Sequence, residues 1–357
     1  MRSIKYRLQS FQSILPRVFA LGLAALLPVS ALCAAPAEPA KAAKTPDPIR
    51  VLTFNLRLST AANDAKNNNG WMHRREAVAN IIAKFPDGNG PYDFVGTQET
   101  VIHPNANLNQ RDFIASRLPG HGVIGRSREA DAERGEGMVL YWKKDRWRLD
   151  PKDNGTFWLS ATPSVPGSKA EGAQCARTAV FGLFYELDAG GAPTGRKVYV
   201  YDTHLDHVGE IARQRGAKAL LEHAAARKDK SAPVILMGDF NCAPDSPSVR
   251  YLLGEKVELD GALVKPPMAL VDTFAAAKNG SGNGKGKGKG KGKGEGGMGT
   301  FNGFKAAGGT RIDFILVSPE LRSISSKIIR TLRDDGGFPS DHFPVEAVVA
   351  WRKSSAD

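Results

Sequence analysis

Four apolar, strand-like segments of the chain each end in side chains that can bind a metal ion or move a proton. The segments cover residues 51–55, 94–99, 198–204 and 234–241. Their polar ends are Asn55, Glu99, His204, Asp239 and Asn241. A polar group at the end of a buried strand costs free energy unless it is paired, so such groups usually have a function. The set predicts metal binding, proton transfer or both.

Two segments near the C-terminus complete the set. One contains Asp313 in a strand-like run, and the other contains Asp341 and His342. Taken in order, these residues resemble the signature of the endonuclease/exonuclease/phosphatase superfamily, which includes DNase I. The resemblance runs from about Ile49 to Trp351. It implies an α/β fold, a DNase I-like four-layer α/β sandwich in which two packed, mostly antiparallel sheets are flanked by helices.

Glu99 is the candidate metal ligand. A carboxylate at a strand end offers hard oxygen atoms, which suit Mg²⁺, although a lone strand-end carboxylate is usually just solvated. The resemblance implies that Asn55 and Asp341 lie beside it, so the predicted ligands are Asn55, Glu99 and Asp341. The predicted ion is Mg²⁺, with Mn²⁺ as an alternative. Arg57 stands where some relatives carry an acidic ligand, which favours one metal site over two.

Asp239 and Asn241 belong to the predicted catalytic loop. Asp239 can orient or deprotonate an attacking water, and the Asn241 amide can donate to a phosphoryl oxygen. The alternative is an Asp-Phe-Asn turn that hydrogen-bonds only its own backbone. The resemblance favours the catalytic interpretation.

Two carboxylate–histidine pairs are expected from the resemblance. Asp313 would fix the tautomer of His342, raise its pKa and leave the second ring nitrogen for the phosphate. Glu136 and His204 resemble a pair in DNase I and could protonate the leaving oxygen. A single histidine after a strand is more often structural, so the alternative is that His204 has only a structural role.

Four arginines are candidates for binding the substrate. They are Arg57, Arg177, Arg213 and Arg311. Arg57 follows Asn55 by two residues, which resembles the Asn-Ile-Arg sequence at the start of DNase I. Arg311 shares a strand face with Asp313, because side chains two residues apart point the same way, and it contacts either the phosphate or a structural carboxylate.

Hydrophobic periodicity predicts one large domain without internal repeats. Strands are expected at 50–55, 93–98, 137–142, 177–187, 197–203, 233–238, 311–317 and 344–351. Helices are expected at 73–84, 108–118 and 209–227. Cys175 and Cys242 could pair in an oxidising compartment, but two small buried residues that never meet are favoured.

The N-terminus predicts a protein that leaves the cytoplasm. Basic residues precede a short apolar run that is too short to span a bilayer, so residues 1–35 are expected to be a signal peptide. Residues 36–47, rich in Ala, Pro and Lys, predict an unstructured leader. The catalytic domain is expected at 48–353, and the protein is expected to be secreted or periplasmic.

A Gly/Lys-rich loop insertion at 279–299 interrupts the domain and has a composition that cannot pack. The net charge of +12 includes four charges in the signal and a net four in this insertion, which leaves about +4 for the remainder. So modest an excess suits an anionic substrate without proving a nucleic-acid partner. The insertion is a flexible linker or a basic arm for polyanions.

The favoured function is a secreted, divalent-metal-dependent phosphoesterase, more specifically a phosphodiesterase, in which water attacks directly. The enzymatic alternatives are an extracellular DNase I-like nuclease and a phospholipid or sphingomyelin hydrolase. A non-catalytic binding module is least favoured because every expected catalytic position is filled. The substrate is a phosphate ester of unknown identity, nucleic acid is one candidate, no stable membrane insertion is expected, and a monomer is expected.

Overall fold

The computed structural model describes residues 46–84, 91–280, 299–305 and 309–352, without the side chains of 278–280. The strands are β1 (Ile49–Asn55), β2 (Phe94–Ile102), β3 (His121–Ser127), β4 (Gly135–Lys143), β5 (Trp147–Trp158), β6 (Thr178–Leu187), β7 (Pro193–His204), β8 (Val234–Asp239), β9 (Val257–Leu259), β10 (Ala262–Val264), β11 (Val271–Asp272), β12 (Asp313–Val317), β13 (Leu321–Ile328) and β14 (Val345–Trp351). The helices are α1 (Ala62–Ala65), α2 (Trp71–Ala83), α3 (Gln110–Arg117), α4 (Glu210–Ala226), α5 (Pro247–Leu252) and α6 (Thr273–Gly280).

Two six-stranded sheets form the framework. The first has the order β13-β14-β1-β2-β4-β3, and the second has the order β11-β12-β8-β7-β6-β5. Only the central pairs, β1 with β2 and β7 with β8, are parallel. Every other pairing in these two sheets is antiparallel. A small hairpin of β9 and β10 lies apart from both sheets.

Apolar side chains define four layers. One cluster, which includes Val51, Phe94, Val200 and Met237, fills the space between the sheets. A second cluster joins the outer face of the first sheet to α2, and a third joins the second sheet to α4 and α5. Because each sheet buries both faces, the expected four-layer α/β sandwich is confirmed.

The predicted elements are present, with corrections at the sheet edges. The three predicted helices correspond to α2, α3 and α4, and all eight predicted strands are found. The sequence missed the strands β3, β5, β9, β10, β11 and β13 and the helices α1, α5 and α6. Edge strands such as β13 carry many polar residues, so their apolar signal is weak.

The predicted signal peptide, nearly all of the predicted leader and residues 281–298 of the predicted insertion lie outside the described residues. Among the described residues, no helix has the length and apolar character that a membrane span requires. Cys175 and Cys242 are unpaired, as favoured from the sequence, although both are half-buried rather than buried.

Glycine at position 238 lets the ends of β7 and β8 come together. Its φ is +146°, and an added Cβ would lie 2.0 Å from the Thr203 carbonyl oxygen. Any side chain here would therefore collide with backbone. The close approach places His204 and Asp239 side by side as register partners at the ends of their strands.

Candidate active site

The ends of several strands meet at one edge of the sandwich. Asn55 ends β1 in the first sheet, whereas His204 and Asp239 end β7 and β8 in the second. Asp313, which opens β12, is the register partner of Asp239 on its other side. The Asn55 amide joins the sheets by donating to Asp239 Oδ2 at 3.0 Å. The fold thus gathers residues from both sheets at one place.

A cleft of about 410 Å³ opens at this edge. The predicted site residues that line it are Arg57, Glu99, Glu136, Arg177, His204, Asp239, Asn241, Asp341 and His342. Asn55 and Asp313 stand behind the lining and hydrogen-bond to Glu99 and His342. Arg213 and Arg311 are not part of the lining.

Glu99 and Asp341 provide carboxylates suited to a divalent cation. Glu99 Oε1 accepts a hydrogen bond from Asn55 Nδ2 at 3.2 Å, and Oε2 accepts one from the Leu58 amide at 3.1 Å. Burial raises the pKa of Asp341, and the nearby Glu99 carboxylate adds to the rise. Glu99 is half-buried and Asp341 is buried. Neighbouring carboxylates repel each other unless a cation lies between them, so this oxygen donor set fits Mg²⁺ or Mn²⁺.

Asn55 is hydrogen-bonded to two carboxylates of the site. Its Nδ2 donates to both Glu99 and Asp239, and its Oδ1 accepts from the Arg57 amide at 3.0 Å. Asn55 therefore orients the two carboxylates. Its Oδ1 keeps a second lone pair, so the role of Asn55 as a metal ligand stays a prediction.

Glu99 does not lie at a strand end, which corrects another expectation. Strand β2 continues to Ile102, and its pairing with β4 shifts register between Thr97 and Thr100. Glu99 sits in this β-bulge with φ +54°. Arg57 and Asn241 also have positive φ, of 58° and 50°. Such backbone is strained for residues other than glycine and is concentrated here around the cleft.

Asp239 lies at the centre of the site. Its Oδ1 accepts a hydrogen bond from the backbone amide of Asn241 at 2.9 Å. Its Oδ2 lies 3.3 Å from His204 Nε2 and 3.7 Å from His342 Nε2. Burial, together with the charge of Asp313, raises the pKa of Asp239 to about 7. A carboxylate of this kind can exchange a proton with water near neutral pH.

Asp313 and His342 form the first expected carboxylate–histidine pair. Asp313 Oδ2 lies 3.0 Å from His342 Nδ1. Burial alone would lower the pKa of His342, but the surrounding carboxylates of Asp313 and Asp239 outweigh it and raise that pKa to about 10. His342 is therefore a cation at neutral pH, and its Nε2 side lines the cleft, where it can bind an anion.

The second pair, Glu136 and His204, is adjacent but not hydrogen-bonded. Glu136 Oε1 lies 3.8 Å from His204 Nδ1, whereas Arg128 Nη1 reaches the same oxygen at 2.5 Å. Burial raises the pKa of Glu136 to about 7. Burial also lowers the pKa of His204 well below its usual range, and Arg177 and Arg128 add to this. His204 is therefore neutral, and its Nδ1 has no hydrogen-bond partner among the described residues.

Asn241 connects this pair to the catalytic loop. Its Nδ2 lies 2.8 Å from His204 Nε2 and donates to the Leu205 carbonyl at 3.0 Å. An imidazole nitrogen that accepts this bond carries no proton, so the proton of neutral His204 belongs on Nδ1. The side-chain amide of Asn241 must give up one of these two hydrogen bonds before it can donate to a phosphoryl oxygen.

The four candidate arginines occupy different environments. Arg57 lines the cleft and pairs with Asp64 at 2.8 Å. Arg177 is buried beside the cleft, where its Nη2 lies 2.7 Å from His207 Nδ1. Arg213 donates to the Asp206 carbonyl at 3.0 Å. Of the four candidates, Arg57 and Arg177 therefore line the cleft, and Arg213 has a structural partner.

Arg311 is held away from the cleft by an ion pair with Asp272 at 2.5 Å. Its guanidinium also stacks over the Phe314 ring, with 4.2 Å between Cζ and the ring centroid. The structural alternative for this residue is therefore favoured over a phosphate contact.

Several cleft residues were missed from the sequence. They are Leu58, Arg128, Cys175, His207, Phe301 and Ile312. Arg128 lies in the β3–β4 turn, a polar segment whose position relative to Glu136 has no periodic signal. Phe301 is different: it belongs to the short run Thr300–Phe304 directly after the insertion, and an aromatic residue there could have attracted attention.

Arg74 was also missed as a residue that organises the site. It is fully buried in α2 and donates to the carbonyls of Leu56, Arg57, Asn69 and Pro339. Burial lowers the pKa of Arg74 to about 10, which leaves it charged at neutral pH. The residue thus ties the loop after β1 to the loop that carries Asp341.

Comparisons with known proteins agree with this geometry. The profile of the Endonuclease/Exonuclease/phosphatase family matches residues 52–342. A comparison with curated protein sequences found no match. Among solved structures, a mannosyl-6-phosphatase from Bacteroides thetaiotaomicron VPI-5482 is 27% identical with a TM-score of 0.66, covering 85% of this chain and 100% of that one.

Two further solved structures show the same fold. A conserved protein of unknown function from Enterococcus faecalis V583 is 26% identical with a TM-score of 0.65, covering 85% of this chain and 100% of that one. The catalytic domain of human Nocturnin, with a bound sulfate anion, is 17% identical with a TM-score of 0.58, covering 85% of this chain and 95% of that one. At that identity the second likeness shows the fold alone.

The fold and cleft define a hydrolase of phosphoric esters built on the DNase I-like sandwich. The chain belongs to the endonuclease/exonuclease/phosphatase family.

Proposed function

We propose that the protein is a secreted phosphoesterase that depends on a divalent metal ion and hydrolyses a small phosphate ester by direct attack of water. The observation that carries the proposal is the position of Asp239. Asp239 is buried and accepts hydrogen bonds from the Asn55 side chain and the Asn241 backbone amide. Its Oδ2 lies 3.7 Å from Nε2 of the cationic His342 on the cleft wall. Water activation and phosphate binding are thereby combined in one cleft.

Glu99 and Asp341 would hold the metal ion, which supplies positive charge to the phosphate oxygens when bound. Asp239 orients the attacking water and accepts its proton. Charged His342 donates to a phosphoryl oxygen, and its charge is stabilised by Asp313. Donors fixed before the reaction stabilise the charge that develops in the transition state. No residue in this scheme forms a covalent intermediate with the phosphate.

His204 is neutral in the free protein, so it cannot donate a proton to the leaving oxygen as it stands. An approaching phosphate anion would favour its protonated form, because opposite charges stabilise each other in a buried site. The general-acid role of His204 therefore requires substrate binding first. Until tested, that role stays a prediction.

A small ester is favoured over nucleic acid for two reasons. Glu136 is engaged by Arg128 instead of hydrogen-bonding His204, unlike the DNase I-like pair that supported the nuclease alternative. In addition, a similar structure at 27% identity is a mannosyl-6-phosphatase. The preference for diesters that the sequence suggested stays a prediction, as does secretion, which rests on the composition of residues 1–35.

The test is a panel assay with the purified protein and Mg²⁺ or Mn²⁺. The substrates are para-nitrophenyl phosphate, bis-para-nitrophenyl phosphate, hexose phosphates, plasmid DNA, RNA and sphingomyelin. We expect hydrolysis of small esters, loss of hydrolysis with EDTA, and recovery on adding metal. The Asp239→Asn variant, prepared in parallel, excludes a contaminating phosphatase. Activity that survives EDTA, or activity on DNA alone, would contradict the proposal.

A further inference from the structure

We propose that a groove beside the cleft binds the alcohol portion of the substrate, and that this alcohol is a hexose. The side groove has a volume of about 520 Å³ and is lined by Arg57, Asp64, Asn67, Asn69, Phe301 and Phe304, among others. The inference rests on the proposed function, because it assumes that the cleft holds a phosphate. It adds a class of substrate and the residues that select it.

The side groove is continuous with the cleft. Arg57, Phe301 and Asp341 belong to the walls of both. A phosphate held near His342 and Asp341 would therefore place its ester substituent past Phe301, in the groove. Cavities of several hundred Å³ are the usual size for small-molecule sites, so the groove can take a monosaccharide ring.

Asn67 and Asn69 supply the polar contacts. Arg333 Nη1 donates to the Asn68 carbonyl at 2.8 Å, and Arg74 Nε donates to the Asn69 carbonyl at 2.7 Å. Both arginines are buried, so the backbone of this loop is fixed. In contrast, the side-chain amides of Asn67 and Asn69 have no hydrogen-bond partner among the described residues. Each amide offers donors and an acceptor, a combination that matches neighbouring hydroxyl groups.

Phe301 supplies an aromatic face. The side chain is 45% exposed, and its ring centroid lies 5.2 Å from that of His342. Its segment is fixed to the catalytic loop, because the Asn302 and Gly303 amides donate to the Asp341 carbonyl at 2.7 and 3.0 Å. An exposed ring that is held rigidly loses little entropy when a ligand packs on it. The apolar face of a sugar ring can pack there.

The charged side chains that line the groove balance one another. Arg57 is paired with Asp64 at 2.8 Å and lies 3.6 Å from Asp341. Lys305 also lines the groove, so two cationic side chains stand against two carboxylates. A hydroxyl-rich neutral ring suits a groove without net charge and uses the amides.

Binding to an inactive protein tests the inference. In the Asp239→Asn background, with Mg²⁺, isothermal titration compares mannose 6-phosphate, glucose 6-phosphate, methyl phosphate and AMP. We expect a hexose phosphate to bind about tenfold or more tightly than methyl phosphate, a difference equivalent to about 1.4 kcal/mol. Adding Asn67→Ala and Asn69→Ala should remove most of this difference, and Phe301→Ala should reduce it separately. Asn107→Ala, an exposed asparagine outside both cavities, is the matched control.

The outcomes separate this inference from the proposed function. If the unaltered protein hydrolyses small esters but hexose phosphates bind no better than methyl phosphate, the side groove is not a hexose site. Tighter binding of AMP than of either hexose phosphate would overturn it in favour of a nucleoside. A selectivity that the two asparagine substitutions leave unchanged would also overturn it. Absence of all metal-dependent hydrolysis by the unaltered protein would instead refute the proposed function.

Discussion

The two carboxylate–histidine pairs that flank Asp239 differ in geometry and in charge. Asp313 and His342 are hydrogen-bonded at 3.0 Å, and the pKa of His342 is raised to about 10. Glu136 and His204 are 3.8 Å apart, and the pKa of His204 is lowered well below its usual range. The same two residue types therefore give one cationic and one neutral histidine.

The neighbouring arginines explain the difference. Among the described residues, the charged partner of Asp313 is His342, so its charge acts on that ring. Glu136, in contrast, is paired with Arg128, and Arg177 lies within 3.9 Å of the same carboxylate. These two guanidinium groups, one buried and one half-buried, then disfavour a charge on His204. The first pair is joined by a hydrogen bond, and of its buried side-chain atoms only Asp313 Oδ1 has no hydrogen-bond partner in the described part of the chain. The second pair is not joined, and across the described residues His204 Nδ1 and two nitrogens of Arg177 have no hydrogen-bond partner.

The largest expected effect is from the carboxylates of Glu99 and Asp239. Glu99→Gln and Asp239→Asn should each lower kcat by about 10² to 10⁴ or more, because metal binding and water activation need the charge. Both replacements keep the shape of the side chain, so the circular dichroism spectrum should not change. Turnover within a few-fold of the parent for either variant would show that its carboxylate has no such role.

His342→Ala should cost roughly 10² or more with every substrate, because the cation contacts the phosphate whatever the leaving group. The measurement is kcat/KM for a nitrophenyl ester and for an alkyl ester of the same phosphate. A loss confined to the alkyl ester would mean that His342 acts on the leaving group instead.

His204→Ala should distinguish the second pair from the first. If His204 protonates the leaving oxygen, the loss should be much larger for an alkyl ester than for a para-nitrophenyl ester, which departs without help. The same two substrates are used as for His342→Ala, so each variant is a control for the other. Equal losses would leave His204 as a phosphate-binding residue only.

Asp202 is a carboxyl outside the two carboxylate–histidine pairs. Its substitution should have the smallest effect of those considered, and that effect is on stability. It is buried between the sheets, its Oδ1 lies 2.5 Å from Gln98 Nε2, and burial raises its pKa well above the usual range. The folded protein therefore keeps this proton after the unfolded chain, with a pKa near 4, has lost it. Stability should fall as the pH rises above about 4 towards the folded-state pKa.

Asp202→Asn should remove this dependence, so the variant should gain stability relative to the parent as the pH rises above about 4. Each unit of pKa difference corresponds to about 1.4 kcal/mol. Urea unfolding at several pH values measures the change. A parent and variant with parallel pH profiles would mean that Asp202 is ionised in the folded protein.

Strand ends could be predicted from the sequence because an apolar run followed by a polar residue is a local pattern. Asn55, His204 and Asp239 are each the last residue of a strand, as expected. The charge states could not be predicted, since they depend on partners that are remote in sequence. Nothing near His204 in the chain indicates that Arg128 would pair with Glu136.

Local irregularities of the backbone could not be predicted from the sequence either. The bulge at Glu99 and the use of the Asn55 oxygen by the Arg57 amide arise from backbone geometry that no periodicity reveals. The family resemblance implied the four-layer fold. The central strands could be recognised because they are continuous apolar runs, whereas β13 exposes polar residues along its length.

The different charge states of the two histidines can be measured directly. Long-range ¹H–¹⁵N correlation spectra of ¹⁵N-histidine-labelled, metal-free protein at pH 7.5 report the protonation of each ring, with His204→Ala and His342→Ala spectra providing the assignments. The structure predicts that both nitrogens of His342 are protonated, while His204 is neutral with its proton on Nδ1. A neutral His342 or a charged His204 under these conditions would contradict the account.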